Sequence, residues 1–213
     1  MTPRKRLPAP ERRKQILKAA TKVLARSNYQ AARVADIAAQ VGVSEAAVYR
    51  HFRSKKEIYL EILQHMSGRI IAFWQEEVDQ EPDALEALRR MGLTYFHRMS
   101  RHADELKVQF QAVAEVNDPQ VKERIRADHA AYVDFIQGVI RKAQAQGRAR
   151  PDLDPAVLAW LLDGVGVLMN LTNLLAIKSD FNEASVTKLI DFILSAMAAP
   201  DGGRKPDQKG GAT

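Results

Sequence analysis

Apolar residues recur at intervals of three and four along almost the whole of this 213-residue chain, the period of amphipathic helices. No stretch alternates apolar with polar residues as a half-buried strand does, so the expected fold is all-α, with about nine helices. The first stripe, Ile16, Leu17, Ala20, Val23 and Leu24, predicts a helix over 11–26. Asn28 interrupts it, a residue that tolerates the left-handed backbone of helix ends. A short helix over 34–40 buries Ile37 and Ala38; Gly42 breaks it, and Ser44 caps a third that runs to about His51. A fourth begins near Ser54 and carries Ile58, Ile62, Met66, Ile70, Trp74 and Val78 at every fourth position.

Pro82 restarts the chain into a fifth helix bearing Leu85, Leu88, Tyr95 and Met99, and a sixth runs from Leu106 to Val116. Asp118-Pro119 opens a seventh, with proline in its first turn, and Gly147 ends it. Asp154-Pro155 opens the eighth, and the ninth covers about 183–198 with Val186, Leu189, Ile190, Ile193 and Met197. Beyond Pro200 the sequence DGGRKPDQKGGAT is too polar and glycine-rich to pack, so 200–213 is expected to be a disordered tail.

The eighth helix changes the picture, because AVLAWLLDGVGVLMNLTNLLAI (156–177) is apolar on nearly every side. Its length approaches the roughly 20 residues that cross a bilayer. Asp163, Asn170 and Asn173 are expensive in hydrocarbon, which favours a core or interface helix and no membrane partner. Such a helix must be covered all round. A second copy of the chain would do this through Leu161, Val165, Leu168 and Leu175 of the eighth helix and Leu189, Ile193 and Met197 of the ninth. Gly164 and Gly166 would permit close approach. Burial within one subunit is the alternative.

Charge is unevenly spread. Residues 1–56 hold 14 Lys and Arg against 3 Asp and Glu, a balance of +11; the remainder hold 18 against 23, a balance of −5. The basic first quarter points to a polyanion. There is no cysteine, hence no disulfide framework and no thiolate metal site. The residues after Met1, TPRKRLPAPERRK, are basic and polar, so a secretory leader is not expected and the expected location is cytoplasmic. No G-x-S-x-G, G-x-x-x-x-G-K-[ST] or H-E-x-x-H pattern occurs. GVGV at 164–167 lies inside an apolar helix, and His97 and His102 do not share a helix face. No enzyme activity, cofactor or metal is expected.

Within the basic quarter, VADIAAQ–VGV–SEAAVYRHF reads as two short helices joined by a glycine turn, a helix-turn-helix. In that motif the second helix enters the major groove with its first residues at the base edges. Small or polar residues are needed there, and Ser44, Glu45, Ala46 and Ala47 supply them. Val48 and Phe52 point inward. Tyr49, Arg50, His51 and Lys55 then face the phosphates, whose oxygens accept from hydroxyl, imidazole and cationic groups. Glu45 is suited to a cytosine amino group and Ala46 or Ala47 to a thymine methyl. Arg4-Lys5-Arg6 forms a basic arm, suited to a minor groove or to loose electrostatic tethering.

The stretch from Arg12 to Leu60 resembles the DNA-binding domain of the TetR family of bacterial transcriptional regulators. The matching residues are Ile16, Ala20 and Leu24, then Asp36-Ile37-Ala38, Val41-Gly42-Val43-Ser44, Tyr49, His51-Phe52, Ser54-Lys55 and Ile58. The resemblance implies a basic arm (1–10), a three-helix DNA-binding domain (11–56) and a helical ligand-binding and dimerisation domain (57–199). It implies a homodimeric repressor on an inverted-repeat operator in double-stranded DNA, released by a small, largely apolar inducer such as an acyl-CoA or fatty acid. A DNA-bound adaptor that carries a protein partner and has no inducer, as in a nucleoid-occlusion member of the family, is the alternative. Two departures stand out: Asn28 replaces the usual glycine, and Ala32 and Arg33 replace hydroxyl residues that cap the second helix. Arg33 then supplies a phosphate contact of its own. For the inducer, the apolar lining is expected from Phe73, Trp74, Tyr95, Phe96, Phe110, Tyr132, Phe135, Trp160 and Met169, with His129, Asn170 and Asn173 as polar anchors.

Overall fold

The structure, a computed structural model, describes residues 7–177 and 181–200. The arm Arg4-Lys5-Arg6 and the tail from 201 onward lie outside the described residues. Nine helices run through the described chain: α1 (Ala9–Ser27), α2 (Val34–Val41), α3 (Glu45–Tyr49), α4 (Lys55–Gln80), α5 (Ala84–Met99), α6 (Ala103–Ala114), α7 (Pro119–Ala145), α8 (Pro155–Leu174) and α9 (Glu183–Met197). Among these residues the only bridge of β type is an isolated one between Ala149 and Ala198, which ties the chain after α7 to the end of α9.

Local chemistry sets most of the boundaries. Ser44 caps α3 by accepting from the Ala47 amide, and Ser54 caps α4 by accepting from Glu57. Asp83, Asp118, Asp154 and Asn182 cap α5, α7, α8 and α9 in the same way, each meeting amide donors that a helix start leaves without partners. Arg33 makes no side-chain cap for α2. Gly42 closes α2 at φ 76°, ψ 42°, the left-handed region where a side chain is costly. Asn28 sits at φ 109°, ψ 172°. That is the extended positive-φ region occupied almost solely by glycine, rather than the left-handed helical turn expected at this stop. The Asn28 Oδ1 accepts from the Ala31 amide at 2.9 Å.

Two apolar cores result. The first joins α1, α2 and α3 to the first half of α4, through Ile58, Tyr59, Ile62, Leu63 and Met66. It also contains Val108 and Ala112 of α6 and Val121 of α7, all essentially inaccessible to solvent. The second core holds Ile70, Phe73 and Trp74 from the rest of α4 together with α5, α7, α8 and α9. Helix α4 thus belongs to both, and α6 crosses from one to the other. Polar contacts reinforce the junction: Lys56 pairs with Asp118 at 2.5 Å, Gln30 donates to Glu115 at 2.6 Å, and the Tyr59 hydroxyl donates to the Val108 carbonyl.

Helix α8 is long and apolar enough to cross a membrane, yet only 22% of its apolar window is buried. Val157, Trp160, Leu161, Val167, Leu168, Leu171 and Leu175 are exposed along it, and Phe192 of α9 is 71% exposed.

Candidate nucleic-acid interface and interior site

The glycine turn sets α3 against α2 so that Val48 and Phe52 are buried and the opposite face is open. Ser44, Glu45, Ala46, Tyr49 and Arg50 are exposed, and Ala47 and His51 are half-buried. The face is shallow where a base edge would lie and polar where a phosphate would lie, the requirement for major-groove entry. Burial, and after it the neighbouring charges of Arg50, Arg12 and Arg13, hold the His51 imidazole below its ordinary value. Arg33 is exposed and held by Asp36 at 3.0 Å, so a phosphate must compete with that carboxylate.

Lys55 departs from its expected role. Its ammonium donates to the carbonyls of Tyr29 (2.7 Å), Ala32 (3.0 Å) and Gln30 (3.3 Å) and lies 4.6 Å from the centre of the Tyr29 ring. Lys55 is turned inward, closing the α1–α2 loop, which is left short of donors where the chain leaves the helix. A second clamp escaped the sequence altogether. Arg13 lies 4.0 Å over the Phe52 ring, donates to the His51 carbonyl and pairs with Glu57 and Glu61. It fixes the end of the recognition segment to α1 and α4. The single signal was a basic residue on α1 beside a helix start rich in glutamate.

The twelve residues expected to line an inducer site divide. Trp74, Tyr95, His129, Tyr132 and Asn170 surround an internal chamber of about 30 Å³, joined there by Gln109 and Asp163. Met169 lies instead on an adjoining apolar chamber of about 60 Å³, which shares Trp74, Tyr95, Leu162 and Gly166 with the first. Phe135 packs behind Trp74, their ring centres 5.9 Å apart. The other five lie elsewhere. Phe73 faces an open groove under Arg98, whose guanidinium is 4.9 Å from its ring. Phe96 stands edge-on to His97, Phe110 is half-buried outside both chambers, and Trp160 is 57% exposed on an outer groove between α7 and α8. Asn173 donates to the Met99 carbonyl at 3.1 Å, a contact that ties α8 to the end of α5.

Asn170 donates to the Tyr95 hydroxyl at 2.6 Å, and His129 Nδ1 meets Asp163 at 2.9 Å. The Asp163 hydrogen bond raises the His129 pKa against the opposing effect of burial. Burial pushes the Tyr95 phenol up to about 12, so it stays neutral. Gln109 and Asp163 were missed as liners. Asp163, Gly166 and Asn170 fall on one face of α8, at steps of three and four, and that spacing was the available signal.

Of the residues expected at a subunit interface, Leu161, Leu168 and Leu175 are exposed, and Val165 and Leu189 are half-buried. Ile193 and Met197 are 7% and 1% exposed and belong to the second core. They pack against this subunit's own helices, and Phe192 takes the outer face that was expected of them.

The family model described as "Bacterial regulatory proteins, tetR family" matches residues 16–62, and that described as "Tetracyclin repressor-like, C-terminal domain" matches 81–170. The chain is 33% identical over 175 residues to the nucleoid occlusion factor SlmA of Aliivibrio fischeri, covering 76% of this chain and 82% of that protein. It is 30% identical over 137 residues to the HTH-type transcriptional activator FasR of Mycolicibacterium smegmatis, spanning 64% of this chain and 62% of FasR. Among solved structures, a putative transcriptional regulator from Saccharomonospora viridis in complex with choline is 26% identical, with a TM-score of 0.72 over 90% of this chain and 100% of that one. FadR from Bacillus subtilis in complex with stearoyl-CoA, 20% identical, has a TM-score of 0.70 over 85% and 95%.

Proposed function

Because this chain belongs to the TetR family of DNA-binding transcription regulators, we propose that it is a cytoplasmic homodimeric repressor, released from an inverted-repeat operator by a small molecule bound between α4, α5, α7 and α8. The family consists of regulators rather than enzymes. The observation that carries this reading is the open face Ser44–Arg50 on a helix held from behind by Val48, Phe52 and Arg13. The exposed apolar face of α8 supports a second copy as its cover, since burying apolar area drives association.

The route from ligand to DNA follows from the two cores. Helix α4 is packed in both, so a ligand that moves Ile70 or Trp74 also moves Ile58 and Ile62, which lie in the core of the DNA-binding helices. Half-sites about 34–36 Å apart require a fixed spacing of the two recognition helices. A ligand that binds better to the mis-spaced dimer shifts the population off DNA. The ligand's body is apolar, as the second chamber is. The relatives crystallised with stearoyl-CoA and with choline carry different head groups, so resemblance leaves the head group open.

Likeness to SlmA favours a second reading, a DNA-bound adaptor that carries a protein partner and has no inducer. Selecting genomic fragments on the purified protein at physiological salt separates the two. One palindrome upstream of a few genes supports the regulator. Many dispersed sites away from promoters support the adaptor. Tyr49→Phe is expected to weaken binding at an unchanged salt slope, and Arg50→Ala to weaken it and lower the slope by about one counterion. Unchanged binding by both would remove this face from the interface.

A further inference from the structure

The two interior chambers differ in chemistry, and the difference selects a head group. Asn170 is 3% exposed; its amide nitrogen is committed to Tyr95, and its Oδ1 has no hydrogen-bond partner. The Oε1 of Gln109, on the same chamber, is likewise buried and without a partner. Native interiors pair nearly all such atoms. Two unpaired acceptors on one chamber therefore call for an occupant that donates.

The walls add a sign. The rings of Trp74, Tyr95 and Tyr132 border the same space, with Trp74 in edge contact with Tyr132 at 5.6 Å and 6.0 Å from Tyr95. Ring faces attract cations. Asp163 contributes a carboxylate, hydrogen-bonded to His129 Nδ1 at 2.9 Å. Among the described residues no lysine or arginine lines either chamber; on α7, Arg124 pairs with Asp128 at 2.6 Å and Arg126 with Glu123 at 3.4 Å. An anionic head would find only the His129 ring, which Asp163 already engages. The adjoining chamber, bordered by Leu88, Met91, Ile136, Met169 and Leu194, offers almost only carbon. Gly166 borders both chambers, and an added Cβ there would lie 3.7 Å from the Tyr95 ring.

We propose that the ligand is an aliphatic ammonium compound: its N–H groups donate to Asn170 Oδ1 and Gln109 Oε1 beneath the aromatic rings, and its alkyl tail fills the apolar chamber past Gly166. This rests on the reading of the interior as a ligand site. It narrows the ligand to a cation and sets carboxylates and phosphate esters aside as head groups for this chamber.

The test is calorimetric titration and thermal shift of the full-length protein at neutral pH with three probes of equal length: hexylamine, hexanol and hexanoate. Hexylamine is expected to bind and raise Tm, hexanol to bind at least tenfold more weakly, and hexanoate to give no shift. Gln109→Met and Asn170→Leu should each weaken hexylamine at least tenfold. Asn170→Asp, which keeps an acceptor and adds charge, should tighten it, and this guards against simple misfolding of Asn170→Leu. Hexanoate binding as well as hexylamine overturns the proposal, as does equal binding of hexanol. If no probe binds and Gln109→Met stabilises the protein, the acceptors hold only water and the proposal fails. The ligand-sensing reading then survives only if a separate panel of acyl-CoAs and aromatic acids raises Tm; if that panel is silent too, both fall.

Discussion

Lys55 separates a structural role from a DNA-contact role with one substitution. Lys55→Met keeps the aliphatic stem and removes an ammonium that serves three carbonyls, of Tyr29, Gln30 and Ala32, and faces the Tyr29 ring. Hydrogen bonds to a charged group contribute roughly 1.5–3 kcal/mol net. Because the site is only partly buried, water can reach some of the freed carbonyls, and we take the lower half of that range. Adding a cation–π contribution of about 0.5 kcal/mol, the expected loss is about 2–3 kcal/mol. For a chain of this size that is a fall in Tm of about 4–12 °C. Urea unfolding of the free protein measures it, with exposed Lys18→Met as the control, expected within about 0.5 kcal/mol. Operator titrations across a salt series supply the second readout. A lysine on a phosphate would change stability little and reduce the salt slope by about 0.9. Native stability with a reduced slope in Lys55→Met would therefore refute the structural assignment.

Three further outcomes follow from the same geometry. His129 has its pKa raised by Asp163, so the stability it contributes is fully present below the unfolded value of about 6.5 and is lost as pH rises through the higher folded value. Asp163→Asn should flatten that dependence in urea midpoints across this window, and an NMR titration placing His129 below the unfolded value would contradict it. Asn28→Gly should fold at least as stably as the parent, whereas Asn28→Val should lose about 1–3 kcal/mol in the same unfolding assay; indifference to valine would mean the loop relaxes to negative φ. Leu161→Glu combined with Leu168→Glu should leave each subunit folded, since both side chains are exposed, yet sediment as a monomer and lose the palindromic operator while keeping weak binding to random DNA. A dimer surviving that pair would move the interface off α8.

What could be read along the chain was what depends on neighbours in sequence. Gly42 and Ser44 act on amides within four residues, and the α4 stripe is a matter of period alone. Lys55 could not be read so, because its acceptors lie 23 to 26 residues upstream and nothing local distinguishes an ammonium facing carbonyls from one facing phosphate. Arg13 finds Glu61 across 48 residues. Helix α9 misled for another reason. Ile193, Met197 and Phe192 are all apolar, and a helix apolar on two sides carries no mark saying which side meets its own subunit. Among the twelve proposed liners, aromatic character identified the core but not the voids within it. Of the polar residues of α8, Asn170 was read as an anchor of the interior site and does border the chamber, whereas Asp163 was read only as a cost in a membrane.

The crossing of α6 between the two cores bears on modularity. Val108, Ala112 and Val121 complete the core of the DNA-binding helices, so a fragment cut after α4 would expose that core to water. The headpiece is therefore not a cassette that transplants cleanly onto a foreign sensor. A chimera would have to carry α6 and the start of α7 with it, or rebuild the underside of α1 and α4 with polar side chains. Drift among relatives is expected to respect the same seam, with operator preference free to change on the outer face of α3 while the buried side of α1 and the facing side of α6 change only together.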